Sequence, residues 1–355
     1  MLAAWSAQAD VYVANTGGAS ITVYATTAIG NVPPIRTISG PATALNSPEG
    51  VTVDTVNNEL YVADFFGKAI RVYPLAANGN VAPIRTLIDG PNSGLLQPRM
   101  VAVDTINNEI LVASDNDSVR VYPRLANGDI APTRVVAGAT TLINNPISIS
   151  LDLTNNEFSV DSYNVGGPNV PGILTFARAA SGNVAPLRQI TGAATLLGTF
   201  TNYVVIDPVN NEIYAQANTG TGYAVFARTA NGNVAPLRNV TGRACVSDIG
   251  GISVDLGNQR VLITDRTNNL LAAFARLATG GASPVAVVAG ATTGMNSPFG
   301  LAMDSLGGLS GTGGQCFASN VSGIPTLGDE MLVLLAGLIL ASAFWLFRRR
   351  ARHGA

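Results

Sequence analysis

Apolar residues along the first three hundred positions come in short runs of four or five, interrupted by polar ones and closed by Asn, Gly, Asp or Pro. Alternation over so short a span predicts half-buried β-strands, and the closing residues predict tight turns. The pattern also repeats. An Asp that closes one strand recurs at Asp54, Asp104, Asp152, Asp207, Asp255 and Asp304, at spacings of 50, 48, 55, 48 and 49. An aromatic residue closes another strand at Tyr24, Tyr73, Tyr122, Phe176, Phe226 and Phe274. Between them lie "VYVAN", "LYVAD", "ILVAS", "FSVDS", "IYAQA" and "VLITD". Each count gives six units, and each unit predicts four strands, a to d.

The turns repeat as well. The a–b turn reads Asn-Asn four times, then Gly-Asn, then Gly-Gly, and the c–d turn reads "ANGNVAP" or a close variant. Asn and Gly both tolerate positive φ, so a left-handed residue is expected in the a–b turn. Strand d carries Pro and Arg, as in Pro83/Arg85 and Pro236/Arg238. Pro cannot donate to a ladder and Arg discourages pairing, which predicts a protected outer edge. An array of ligand-binding arginines is the alternative.

Six four-stranded units of about 50 residues predict an all-β, six-bladed β-propeller. The chain enters on a strand b ("DVYVAN") and its last repeat strand is a strand a ("FGLAMD", residues 299–304). N-terminal b, c and d strands and a C-terminal a strand should therefore share one blade and close the ring. The expected organisation is residues 1–9 as the remnant of a signal peptide, 10–304 as the propeller, 305–323 as a Gly/Ser-rich stalk and 324–355 as a C-terminal signal. An echo of strand b in "QCFASN" keeps a partial seventh repeat open.

The repeat from Pro48 to Tyr73, "P-x-G-V-T-V-D … N-E-L-Y-V-A-D … I-R-V-Y", resembles NHL-type and related six-bladed propellers. The resemblance covers most of residues 10–304. Its motifs are structural, so it implies a fold and leaves activity open.

Composition narrows the chemistry. The single histidine, His353, lies in the tail, so the body offers no histidine base, Ser-His-Asp triad or histidine-bound zinc. Residues 10–323 hold 16 basic and 20 acidic side chains, without a basic cluster, which argues against nucleic acid. Cys245 and Cys316 could form one disulfide in an oxidising compartment, or remain two thiols.

Strand a is expected to line the axis through Thr52, Ala102, Ser150, Val205, Ser253 and Ala302, none of them a carboxylate. The repeated Asp before the a–b turn is read as an acceptor for turn N–H groups. The d–a and b–c loops differ most between repeats, so a site is expected at the mouth that they form. Its candidates are Glu49, Asp64, Phe66, Arg99, Asp115, Asp161, Tyr163, Asn202 and Asp265. The resemblance to six-bladed lactonases implies an alternative, a metal-dependent hydrolase with a divalent cation such as calcium on Glu49, Asn202 and Asp265. The favoured reading needs no cofactor: a non-catalytic module binding glycan, peptide or matrix through aromatic and amide groups.

The tail breaks the pattern. Residues 331–347 are 17 apolar or small residues, followed by Arg348, Arg349, Arg350 and Arg352. This predicts a transmembrane helix with a cytoplasmic basic end and an extracytoplasmic propeller. Ile324, Pro325, Thr326 and Leu327, then a span, then arginines, resemble the IPTL-type C-terminal sorting signal of Gram-negative bacteria. That resemblance implies an exosortase-like membrane peptidase as partner, and passage to the cell surface. Gly328-Asp329-Glu330 departs from the usual Ser-Glu-Trp. At the other end "AQA" precedes Asp10 as a small-x-small cleavage site, and the true start is expected upstream.

Overall fold

The computed structural model describes residues 9–165, 167–198, 203–241 and 246–304. The expected helix at 331–347, the stalk, the sorting motif, Asn202, Cys245 and Cys316 lie outside them. Two units divide the chain, Met1–Phe317 and Ala318–Ala355. No helix among the described residues is long and apolar enough to cross a membrane.

Among the described residues twenty-four strands form six antiparallel four-stranded sheets. The seam blade, blade VI, contains β1 (Asp10–Asn15), β2 (Ser20–Ala25) and β3 (Arg36–Ile38). Blade I holds β4 (Pro48–Asp54), β5 (Glu59–Asp64), β6 (Ala69–Pro74) and β7 (Arg85–Ile88). Blade II holds β8 (Pro98–Asp104), β9 (Glu109–Ser114), β10 (Ser118–Pro123) and β11 (Arg134–Ala137). Blade III holds β12 (Ile149–Asp152), β13 (Glu157–Ser162), β14 (Gly172–Ala177) and β15 (Arg188–Thr191). Blade IV holds β16 (Val204–Asp207), β17 (Glu212–Ala217), β18 (Gly222–Ala227) and β19 (Arg238–Thr241). Blade V holds β20 (Ile249–Asp255), β21 (Arg260–Asp265), β22 (Leu270–Ala275) and β23 (Ala286–Ala289). Strand β24 (Pro298–Met303) then pairs with β1, with Val11 opposite Met303 and Val13 opposite Leu301. The two ends of the repeat array thus complete blade VI.

Apolar packing lies between blades. Six buried clusters each draw mainly on two neighbouring sheets; one joins Tyr12, Ile21 and Val23 of blade VI to Val51, Leu60 and Val62 of blade I. A sheet covered on both faces has no solvent side. That is why β5 is buried at all six residues, where alternation alone predicts every second one.

The repeated aspartates serve the a–b turns. Asp54 accepts from the Asn57 N–H at 3.0 Å and from its side-chain amide at 2.7 Å, and Asp104, Asp152, Asp207 and Asp255 do the same one blade on. The left-handed residue is Asn58, Asn108, Asn156 or Asn211, and in blade V it is Gln259. The Asn/Gly expectation therefore fails at Gln259, whose amide is tied to Leu256 O and Arg276 Nε.

Strand d is protected differently from expectation. Its arginines do not array outward. Arg85, Arg134, Arg188 and Arg238 pair with Glu59, Glu109, Glu157 and Glu212 at the start of strand b, at 2.6–2.8 Å. The edge itself is covered by the next blade's c–d turn. The Gly79 N–H donates to Thr37 O at 2.7 Å while the Ser39 N–H donates back to Gly79 O at 3.2 Å. Gly30, Gly79, Gly128, Gly182, Gly232 and Gly280 make the equivalent bridge at all six interfaces. A Cβ at Gly79 would have open space, so glycine is favoured there by its φ of +77° alone.

Candidate functional site

The axis is a channel of about 270 Å³, and its lining includes Thr52, Ala102, Ser150, Val205, Ser253 and Ala302. Hydroxyls stitch neighbouring a strands together: Ser150 Oγ accepts from the Ile206 N–H at 3.0 Å, and Thr52 donates to Val101 O. At the mouth end the register position four before the repeated Asp holds Gly50, Met100, Ser148, Tyr203, Gly251 and Gly300. Tyr203, 2% exposed, reaches across so that its hydroxyl lies 3.7 Å from Met100 Sδ, and its ring packs 6.0 Å from Phe299. Any side chain at Gly300 would run into that hydroxyl and into Glu49 O, so the small residues make room for the large ones. Tyr203 and Met100 form a plug.

Around the plug the sequence candidates separate into two groups. Glu49, Arg99 and Asp115 come together. Arg99 Nη1 donates to Glu49 at 3.1 and 3.3 Å, and its Nε donates to Asp115 at 3.0 Å. The guanidinium lies 3.9 Å over the Phe65 ring, and Phe66 meets Phe65 edge-on at 4.8 Å while remaining 63% exposed. Burial raises the Glu49 pKa, and Arg99 only partly offsets it. Burial also disfavours the Arg99 cation, but Glu49 and Asp115 outweigh that and hold its pKa above the usual value. Across the mouth Arg266 donates to Asp248 at 2.6 and 2.9 Å and lies 4.8 Å over Phe299.

The other candidates face the backbone. Asp64 accepts from the Asn46 and Ser47 N–H groups and from Arg71 Nε at 2.8 Å. Asp265 accepts from Ser247 and Asn268 at 2.6 and 2.8 Å. Asn15, Ser114 and Ser162 close strand b in the same way, so this position ties down the d–a loop. Asp161 is buried and accepts from Ile147 and Ser148 at 2.9 and 2.6 Å; burial nevertheless pushes its pKa up to about 7. Tyr163 donates to Asn169 Oδ1 at 2.6 Å within its own loop.

A cation on Glu49 and Asp265 would have to displace Arg99 from one and backbone donors from the other. Among the described residues no three His, Cys, Asp or Glu side chains group as a metal site. Tyr203, Met100 and Asp248 were not among the expected residues. The signal for the plug is present in the register itself, where two bulky residues interrupt a row of Gly and Ser.

No family model matches the sequence, and no curated protein is similar to it in sequence. Solved structures do match. A chain of the nidogen/laminin complex superposes with a TM-score of 0.61 at 15% identity, covering 84% of this chain and 99% of that one. The WD40 β-propeller domain of Doa1 superposes with a TM-score of 0.51 at 12% identity, covering 79% of each chain. At such identities the likeness is one of fold, and it agrees with the strand topology: the protein is a six-bladed β-propeller.

Proposed function

We propose that the protein is a non-catalytic binding propeller whose ligand docks on the loop-rich mouth. The observation that carries this reading is the Glu49–Arg99–Asp115 stack on Phe65, beside the exposed Phe66. The charges there are already paired and held, so they stiffen a platform and leave an aromatic face free for a partner. Glycan, peptide and matrix surfaces are the ligand classes that such a rim of aromatic and amide groups suits. The reading includes location. The propeller is exported, held in the membrane by residues 331–347, and sorted through Ile324–Leu327 by an exosortase-like peptidase to the cell surface. Support for that part is the order of motif, apolar span and arginines in the sequence.

Screening the full chain against envelope glycan and peptide arrays tests the binding reading. Phe66→Ala should reduce any hit by about ten-fold or more, as loss of an exposed aromatic anchor does. Hits that are indifferent to Phe66, Tyr163 and Arg99 would place recognition elsewhere. The alternative, a metal-dependent hydrolase on Glu49, Asn202 and Asp265, predicts a stoichiometric divalent ion whose removal lowers the melting temperature.

A further inference from the structure

The face opposite the mouth carries a second pocket, and the rest of the chain shows what fits it. In blades II to V an arginine follows strand c; Arg178 of blade III lies 3.5 Å from Asp104, and the other three, Arg124, Arg228 and Arg276, share one arrangement. Each donates Nε to the amide oxygen of its own a–b turn, on Asn108, Asn211 and Gln259, at 2.6, 3.1 and 2.7 Å. Each also donates Nη1 to the carboxylate opening strand b of the preceding blade, on Glu59, Glu157 and Glu212, at 2.6, 2.8 and 2.9 Å. The guanidinium is thus a latch between two blades.

Blade I has Leu75 at that position. The acceptors remain. Asn58 keeps the left-handed turn conformation, and its side-chain amide has no partner among the described residues. Asp10 of blade VI stands where Glu59 stands one interface on. The Asp304 carboxylate, at the end of the strand that closes blade VI, accepts from the Asp10 N–H at 2.7 Å and the Tyr12 hydroxyl at 3.4 Å. These residues line a pocket of about 390 Å³, in which, among the described residues, two carboxylates face one cation, Arg36, 2.9 Å from Asp10.

We propose that this pocket is a guanidinium-binding site, which takes an arginine side chain of a partner polypeptide in the place that Arg124, Arg228 and Arg276 fill from within the chain. An acceptor amide beside a carboxylate matches the planar fork of a guanidinium better than a point-charge ammonium.

Titration of the full chain with agmatine and with 1,5-diaminopentane tests it. Saturable agmatine binding, at least about ten-fold tighter than the diamine, is expected. Leu75→Arg should supply the latch in cis, abolish agmatine binding and raise the melting temperature by about 2 °C. Asp10→Asn should weaken agmatine at least about ten-fold even if Leu75→Arg fails to fold. An arginine-containing peptide should compete with agmatine, and its lysine counterpart should not. Equal binding of the two amines, no agmatine binding, or binding that persists in both variants would overturn the site. Phe66→Ala should leave agmatine binding unchanged, which separates this site from the mouth.

Discussion

Interfaces I/II through IV/V and the two interfaces that flank blade VI use the same apolar packing and the same glycine clip, but differ in charge. In the first set a carboxylate that opens strand b or a turn aspartate holds the next blade's arginine: Glu59 with Arg124, Asp104 with Arg178 at 3.5 Å, Glu157 with Arg228, and Glu212 with Arg276. At V/VI three positions change together. The glutamate becomes Arg260, the strand d arginine becomes Ala286, and the next blade's arginine becomes Thr26. The Arg260 Nη1 and the Thr26 hydroxyl are left buried without partners among the described residues. At VI/I the arginine is Leu75. The ring is therefore latched by charge through four interfaces and held at the seam by packing, the clip and strand pairing.

The contrast should be visible first in single-residue deletions. Glu59→Ala strands Arg85, Arg124 and the Tyr61 hydroxyl, all of which bond its carboxylate, and should cost about 3 kcal/mol in denaturant unfolding. Asp10→Ala strands only Arg36 beside an open pocket and should cost about 1 kcal/mol. Equal losses would mean that the second arginine adds nothing.

Titration sharpens the contrast between the latches and the mouth. Burial alone would raise the pKa of Glu59 and Glu212, but Arg85 with Tyr61, and Arg238 with Tyr214, outweigh it and hold both below the usual value. Their contribution is full above about pH 4.5 and is lost as the pH falls through the lowered folded values. Asp161 has the opposite sign. Its folded pKa of about 7 lies above the unfolded one, so ionisation destabilises the fold progressively from about pH 4 to 7. Asp161→Asn should gain on the wild type across that window, by on the order of 2–4 kcal/mol at the plateau, and gain nothing further above pH 8. Melting curves from pH 3 to 9 would check both signs. A constant difference across the range would show that Asp161 does not titrate there.

The smallest effect concerns what the two sets share. Gly79→Ala at a latched interface and Gly30→Ala at the seam both place a Cβ on a residue with φ near +78° in open space. Each should cost about 1 kcal/mol. A much larger loss at Gly30 would mean that the seam depends on its clip more than the latched interfaces do.

The repeat, its six-fold count and the closure of blade VI were legible in the sequence because they rest on turn residues and strand length, which act locally. The latches were not read, although their residues recur as plainly: Glu follows the Asn-Asn turn at Glu59, Glu109, Glu157 and Glu212, and Arg follows strand c at Arg124, Arg178, Arg228 and Arg276. The partners of Arg124, Arg228 and Arg276 lie 64–71 residues away and that of Arg178 lies 74 away, so the pairing belongs to the ring and not to any one repeat. The same holds at the mouth. Glu49 and Arg99 were expected there separately, but their ion pair depends on neighbouring blades. Asp64 and Asp265 read as loop carboxylates, yet each lies at the last residue of a strand and is turned inward to backbone donors.

Hydrogen exchange on the full chain tests the latched and unlatched halves most directly. Amides of β1 (Asp10–Asn15) and β5 (Glu59–Asp64) occupy the same place in their sheets, bonded on both sides. Val11–Asn15 should exchange earlier than Leu60–Asp64 and the matching residues of β13 and β17, because blade VI opens without breaking a charge latch. Equal protection across these strands, or slower exchange in β1, would contradict it.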